Sequence, residues 1–171
     1  MAIQVILCME TNKRAATDYI YINETIKRFY SCNGNNKIKI SPVYMNNKTR
    51  YNSKDVINEI QRLSNDYAGD TKVIYCIDTD QYEKNPNHKK EYDEIQKYCE
   101  HENYEMVWFC HDVEEVFIGY KVSDSDKTKK AAEFVKKNIV KNVNYKKLSS
   151  DKLIKNTSNM LLVFDKYLQR K

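Results

Sequence analysis

Three carboxylates in this chain each follow an apolar run. Glu10 closes MAIQVILCME, and Asp78 and Asp80 close VIYCIDTD, which begins at Val73. Both runs are rich in β-branched and other apolar residues and read as buried parallel strands. The acids then arrive at carboxyl ends, where open α/β sheets bind their ligands. Carboxylates brought together repel, and they stay ionised only if a cation compensates or some take up protons. Hard oxygen donors select Mg²⁺ or Mn²⁺, which bind through one or two carboxylates together with water and substrate phosphate. The spacing therefore points to metal-assisted chemistry, provided that the two strands lie side by side.

The rest of the chain supplies elements able to place them so. Residues 3–9 read as the first strand, and residues 14–30 follow as a helix with Ile22, Ile26 and Phe29 at helical spacing. SCNGNN (31–36) is turn chemistry, and residues 37–45 alternate as a strand. Ser53 caps a helix running to residue 67 with Val56, Ile60 and Leu63 on one face. After the strand ending at Asp78, residues 89–101 form a helix carrying Tyr92, Ile95 and Tyr98/Cys99 inward. A strand over 104–110, a short helix within HDVEEVFIGY and two amphipathic helices over 126–141 and 150–169 complete the pass. Strands separated by helices imply an α/β domain, with a mostly parallel sheet of about four strands and helices on both faces. With the first, third and fourth strands adjacent, one rim carries Glu10, then Asp78 and Asp80, then residues 111–115.

At 171 residues the chain fits a single domain, with a core at 1–120 and a basic helical extension at 121–171. The net charge of +5 is uneven. Residues 1–120 carry 15 Lys/Arg against 19 Asp/Glu, a net of −4, whereas residues 121–171 carry 14 against 5, a net of +9. An acidic part would hold the site and a basic part a polyanion. No run approaches the eighteen apolar residues of a membrane span, and the N-terminal run ends on glutamate, unlike a signal peptide. A soluble, cytoplasmic protein is expected. Of the five cysteines, Cys8, Cys76 and Cys110 lie in apolar runs as core thiols, Cys32 and Cys99 stand alone, and no CxxC pair occurs, so neither a disulfide framework nor a zinc site is expected.

The acids and their order carry a resemblance. Strand-ending Glu10 and the later pair Asp78-Thr79-Asp80 resemble the Toprim domain of type IIA topoisomerases, primases and OLD-type nucleases. The whole chain is most similar to the small RloB-like and OLD-like bacterial defence proteins. That family ends its first strand on an acid and opens the next helix with a Thr-acid-x-Tyr-like stretch. It ends a later strand on DxD and follows the next one with an FExW-like segment. Glu10, Thr17-Asp18-Tyr19, Asp78-Thr79-Asp80 and Val113-Glu114-Glu115-Val116 fill those places here. Thr11 stands where the family usually has glycine, and Val113 and Val116 where it has aromatic residues.

The resemblance implies a Toprim-like, Rossmann-like fold and an Mg²⁺- or Mn²⁺-dependent nuclease cutting RNA, tRNA included, or DNA in antiviral defence. Asp78 and Asp80 would hold the metal, Glu10 would be a further ligand or general base, and Glu114, with Glu115 second, would serve another ion. The resemblance also implies an ATPase partner, and without a Walker motif the chain cannot hydrolyse nucleotide by that route itself; a non-catalytic binding or regulatory module beside such an ATPase is the alternative. Lys13 and Arg14, at the expected start of a helix, are candidates for phosphate contacts. So are Lys129, Lys130, Lys136 and Lys137, within a basic stretch that also includes Lys127, Lys141, Lys146 and Lys147 and is interleaved with Phe134 and Tyr145. Tyr19, Tyr21 and Tyr82 are candidates for stacking on bases, and His111 for a proton shuttle. Two other DxD classes fit less well: Gln81 is not the Thr or Val expected in haloacid-dehalogenase-like phosphatases, and 91 residues after Asp80 are too few for a GT-A glycosyltransferase.

Overall fold

The computed structural model of the chain describes residues 2–31 and 37–171. Five strands, β1 (Ile3–Met9), β2 (Ile38–Tyr44), β3 (Asp70–Asp78), β4 (Glu105–Cys110) and β5 (Thr157–Ser158), form one sheet in the order β2-β1-β3-β4-β5. The first four are mutually parallel, and β5 pairs antiparallel with β4. The helices are α1 (Thr17–Phe29), α2 (Lys54–Asn65), α3 (Pro86–Glu102), α4 (Val113–Ile118), α5 (Lys127–Lys136) and α6 (Met160–Phe164). β1, β3 and β4 are neighbours, as expected. The turn expected at 31–36 falls, for residues 32–36, outside the described residues, and so does Cys32.

Alternation along the strands builds two cores. Val5, Leu7 and Met9 of β1 and Ile74 and Cys76 of β3 join α1, α4, α5 and α6 on one face of the sheet. Ile6 and Cys8, with Tyr75 and Ile77, join α2 and α3 on the other. Both faces are therefore covered, which is why the parallel strands read as continuous apolar runs. Cys8, Cys76, Cys99 and Cys110 are all buried free thiols.

The region after residue 120 departs most from expectation. α5 stops at Lys136 because Asn138 takes a left-handed conformation, and the helix expected over 150–169 shrinks to the five residues of α6. The preceding segment serves the edge of β4. Thr157 and Ser158 pair with Cys110 and Phe109, and the Asn159 side-chain amide continues the ladder: its Oδ1 accepts from the Trp108 N–H at 2.9 Å and its Nδ2 donates to the Met106 carbonyl at 3.0 Å. Satisfying an otherwise bare strand edge outweighs the helical pattern of the apolar residues.

Phe134 and Tyr21 also differ from expectation. Both are fully buried, with ring centroids 4.8 Å apart, and Tyr21 stacks on Phe117 at 5.4 Å. Neither is placed to stack on a base; together they fasten α5 to α1. Phe134→Ala should cost about 3–5 kcal/mol in urea unfolding, and a loss below about 1 kcal/mol, the level of an ordinary substitution, would contradict this placement.

Candidate functional site

The register fixes the meeting of Glu10 and Asp78. Met9 lies opposite Cys76, so the chain leaves β1 level with the last residues of β3. There the Asp78 N–H donates to Glu10 Oε1 at 2.7 Å. Beyond Asp78, the Thr79 N–H donates to the Phe109 carbonyl at 3.0 Å and the Asp80 N–H to the His111 carbonyl at 2.9 Å, anchoring the DTD segment to the end of β4.

Strand alternation then divides the acids. Asp78 shares the face of Ile74 and Cys76, toward α1, α4 and α5, and there it meets Asp18, Asp112 and Glu114 electrostatically. Glu10, one residue past β1, lines the same cavity as Asp18 and Asp78 and also feels Lys48. Asp80, in a left-handed conformation at φ 50°, turns to the side of Lys48. Lys48, in a short 3-10 turn (Lys48–Arg50), is largely buried, pairs with the Asp80 carboxylate and donates to the Asp78 carbonyl at 3.2 Å. The structure thus brings Glu10 and Asp78 into contact and engages Asp80 with a cation of the chain itself.

The second half of the cleft is assembled by helix termini. Asp112 caps α4, its Oδ1 accepting from the Glu115 N–H at 2.8 Å. One residue into that helix, the Glu114 side chain is fully buried, and neither carboxylate oxygen has a hydrogen-bond partner. Its nearest compensation is Lys127 Nζ, 3.4 Å from Oε2, at the start of α5. A cavity of about 260 Å³ opens at the carboxyl ends of β1 and β3, lined by Glu10, Thr17, Asp18, Asp78, Asp124 and Lys127 among others.

The electrostatics follow from this crowding. Burial, reinforced by neighbouring acids, raises the Glu10 carboxyl to about 8 even though Lys48 pulls the other way. Glu114 is raised to about 7, chiefly by burial and against Lys127, and Asp78 is driven well above the carboxylate range by burial and then by Glu10. Asp18 and Asp112 are raised for the same primary reason. Lys127 is raised in turn, because Glu114 and Asp78 outweigh its own desolvation.

Other expected site residues lie elsewhere. α1 begins at Thr17, so Lys13 and Arg14 sit exposed in the turn before it, which Asn12 closes by accepting from the Ala15 N–H at 2.8 Å; they are not at a helix N-terminus. Lys129, Lys136 and Lys137 are exposed on or just past α5, with Lys130 and Lys137 ion-paired to Glu133. Lys127 faces the acids rather than forming part of an outer basic track. Sequence reasoning passed over Lys48, a lone lysine in a polar loop with no distinguishing signal.

Fold and site together define an α/β protein with a five-stranded, mostly parallel sheet and a cleft of buried carboxylates at its carboxyl rim. Compared with family models, curated proteins and solved structures, the chain gives no match. Among the described residues no helix is long and apolar enough to cross a membrane.

Proposed function

We propose that this chain is a Mg²⁺- or Mn²⁺-dependent nuclease that cleaves phosphodiester bonds of RNA or DNA. The observation that carries the reading is Glu114: a wholly buried carboxylate that no hydrogen bond satisfies, ion-paired to Lys127 at 3.4 Å and close to Asp18, Asp78 and Asp112. Leaving a buried polar group unsatisfied is costly, and such sites are kept for chemistry or for an ion.

The donors fit a hard divalent cation, since all are carboxylate oxygens. Asp78 and Glu10 would hold it, and Glu114 with Asp18 would take a second; Asp80 joins only by exchanging Lys48. Such an ion, when bound, neutralises charge on a phosphate and lowers the pKa of water. The residues of the chain do the rest. Glu10, fixed by the Asp78 N–H, is poised to take up a proton near neutral pH. Lys127 balances the acids where a phosphate would enter, and the exposed Lys129, Lys136, Lys137, Lys13 and Arg14 offer sequence-independent contacts to a nucleic-acid backbone. Action in antiviral defence, on tRNA or another nucleic acid and beside an ATPase, belongs to this reading through the resemblance to RloB-like and OLD-like proteins.

One observation favours a second reading, a nucleic-acid-binding module without catalysis: Lys48 already neutralises Asp80. Incubating the purified chain with labelled tRNA, single-stranded and duplex substrates, in Mg²⁺, Mn²⁺ or EDTA, separates the two. A nuclease gives products in metal and none in EDTA; binding without products in any condition sinks the catalytic reading.

A further inference from the structure

A second cluster lies across the rim from Glu10, and its donors are of a different kind. β4 ends on Cys110, 1% exposed, and His111 follows; Glu83 comes from the turn after Asp80. His111 Nε2 is 3.1 and 3.2 Å from the two Glu83 carboxylate oxygens, and Cys110 Sγ is 3.9 Å from Glu83 Oε1. One nitrogen, one sulfur and one oxygen thus lie within 4.8 Å of one another, and among the described residues no other group of three His, Cys, Asp or Glu does so. We propose that Glu83, Cys110 and His111 bind a borderline-soft divalent cation of the zinc class.

The geometry fits that ion. A tetrahedral centre with the usual zinc bond lengths sets its donors about 3.3–3.6 Å apart, and the nitrogen–oxygen separations of 3.1 and 3.2 Å and the sulfur–oxygen separation of 3.9 Å bracket that range. A mixed N/S/O set suits zinc better than the oxygen-seeking Mg²⁺. The outer contacts agree. His111 Nδ1 lies 3.3 Å from Glu115 Oε2, whose side chain is 9% exposed. In the tautomer whose Nδ1–H is donated to Glu115, the Nε2 lone pair is free to bind a cation on the side of Glu83. This carboxylate–histidine pairing is the usual support of a metal-bound imidazole.

The backbone holds the donors still. The Asn156 N–H donates to the Cys110 carbonyl at 2.6 Å, the Asp80 N–H to that of His111 at 2.9 Å, and the Asn85 N–H to that of Gln81 at 2.8 Å, closing the turn that carries Glu83. Glu83, His111 and Glu115 line a cleft of about 510 Å³ that also reaches Asp78 and Lys155. Three protein donors leave the fourth position for water or a substrate oxygen. Binding converts the Cys110 thiol to a thiolate bonded to the cation and releases its proton to solvent. The sequence carries no zinc signature because Cys110 and His111 are adjacent and the third donor lies 27 residues before Cys110.

Cobalt(II) is the probe, titrated into the reduced full-length chain with Mg²⁺ in excess to occupy the carboxylate cleft. One equivalent should bind with tetrahedral visible bands and a thiolate-to-cobalt charge-transfer band, both erased by adding Zn²⁺. The charge-transfer band should vanish in Cys110→Ser and persist in Cys32→Ser. Glu83→Gln and His111→Ala should weaken binding more than Glu115→Gln, itself expected to lose about 10-fold or more. Asp78→Asn, which tests the nuclease reading, should leave the band intact, so the two ideas fail separately. Absence of a thiolate band, or its survival in Cys110→Ser, overturns the proposal. Should Cys110→Ser not fold, unchanged cobalt affinity in both Glu83→Gln, at a half-exposed position, and His111→Ala overturns it equally.

Discussion

Asp78→Asn is expected to abolish metal-dependent cleavage and, in the same molecule, to raise the melting temperature measured in EDTA. Asp78 is the acid through which the two halves of the cleft meet: its N–H holds Glu10, and its carboxyl feels Glu10, Asp18, Asp112 and Glu114. As a metal donor it should be worth more than the 10- to 100-fold typical of outer partners, so a loss of at least about 100-fold in cleavage rate is anticipated. Its cost to the fold has the opposite sign. A buried carboxyl among like charges destabilises the ionised form, and the amide keeps the shape without the charge. The gain should be about 0.5–2 kcal/mol, the size of relief found when functional strain is removed, or roughly 1–8 °C for a chain of this length. A variant that cleaves normally, or one that melts below the parent in EDTA at about pH 8, would refute the role assigned to Asp78.

The meeting of Glu10 with Asp78 was legible in the sequence because it depends on strands alone. Two apolar runs that each end in acid, joined through helices, predict neighbouring parallel strands, and the observed Met9–Cys76 register brings their ends level. The side to which each carboxylate turns was harder to read. Asp78 and Asp80 are two residues apart, which in a continuing strand would set them on one face. The strand stops at Asp78, however, and the left-handed Asp80 breaks the alternation, delivering its carboxylate to Lys48. That lysine sits 32 residues before Asp80 in a loop whose sequence distinguishes it from no other.

The C-terminal region failed as a pair of long helices for a related reason. The spacing of Leu153, Leu161, Val163, Phe164 and Leu168 predicts a helix, but the pattern does not register that the far edge of β4 needs partners. Thr157, Ser158 and Asn159 meet that need before α6 can start. α5 and α6 then close the core over β1, β3 and β4, with Ala131, Phe134, Met160 and Phe164 wholly buried. Apart from Lys127, which faces the acids, the lysine-rich character of the region lies on the outward side of elements whose inner side is structural.

The metal-free chain should also lose stability as pH rises through neutrality, and Mg²⁺ should restore it. Glu10 at about 8, Glu114 at about 7 and Asp78 well above its ordinary range all bind protons more tightly in the fold than in the unfolded chain. Groups raised on folding contribute stability that is full below their unfolded values, near 4.5 for Glu10 and Glu114, and lost as pH climbs through the folded values. Asp165, held low by Arg170, has the opposite sign and matters only on the acid side. In EDTA the melting temperature should therefore fall between about pH 5.5 and pH 8.5, by on the order of 5–10 °C at roughly 2–4 °C per kcal/mol. Divalent cation binds only the deprotonated acids, so millimolar Mg²⁺ should raise the melting temperature strongly at the upper pH and little at the lower. Scanning calorimetry over this grid decides the matter. A profile in EDTA that is flat across the window would mean that the carboxylates are not buried together, and an equal Mg²⁺ effect at both ends would mean that the ion binds somewhere other than this cleft.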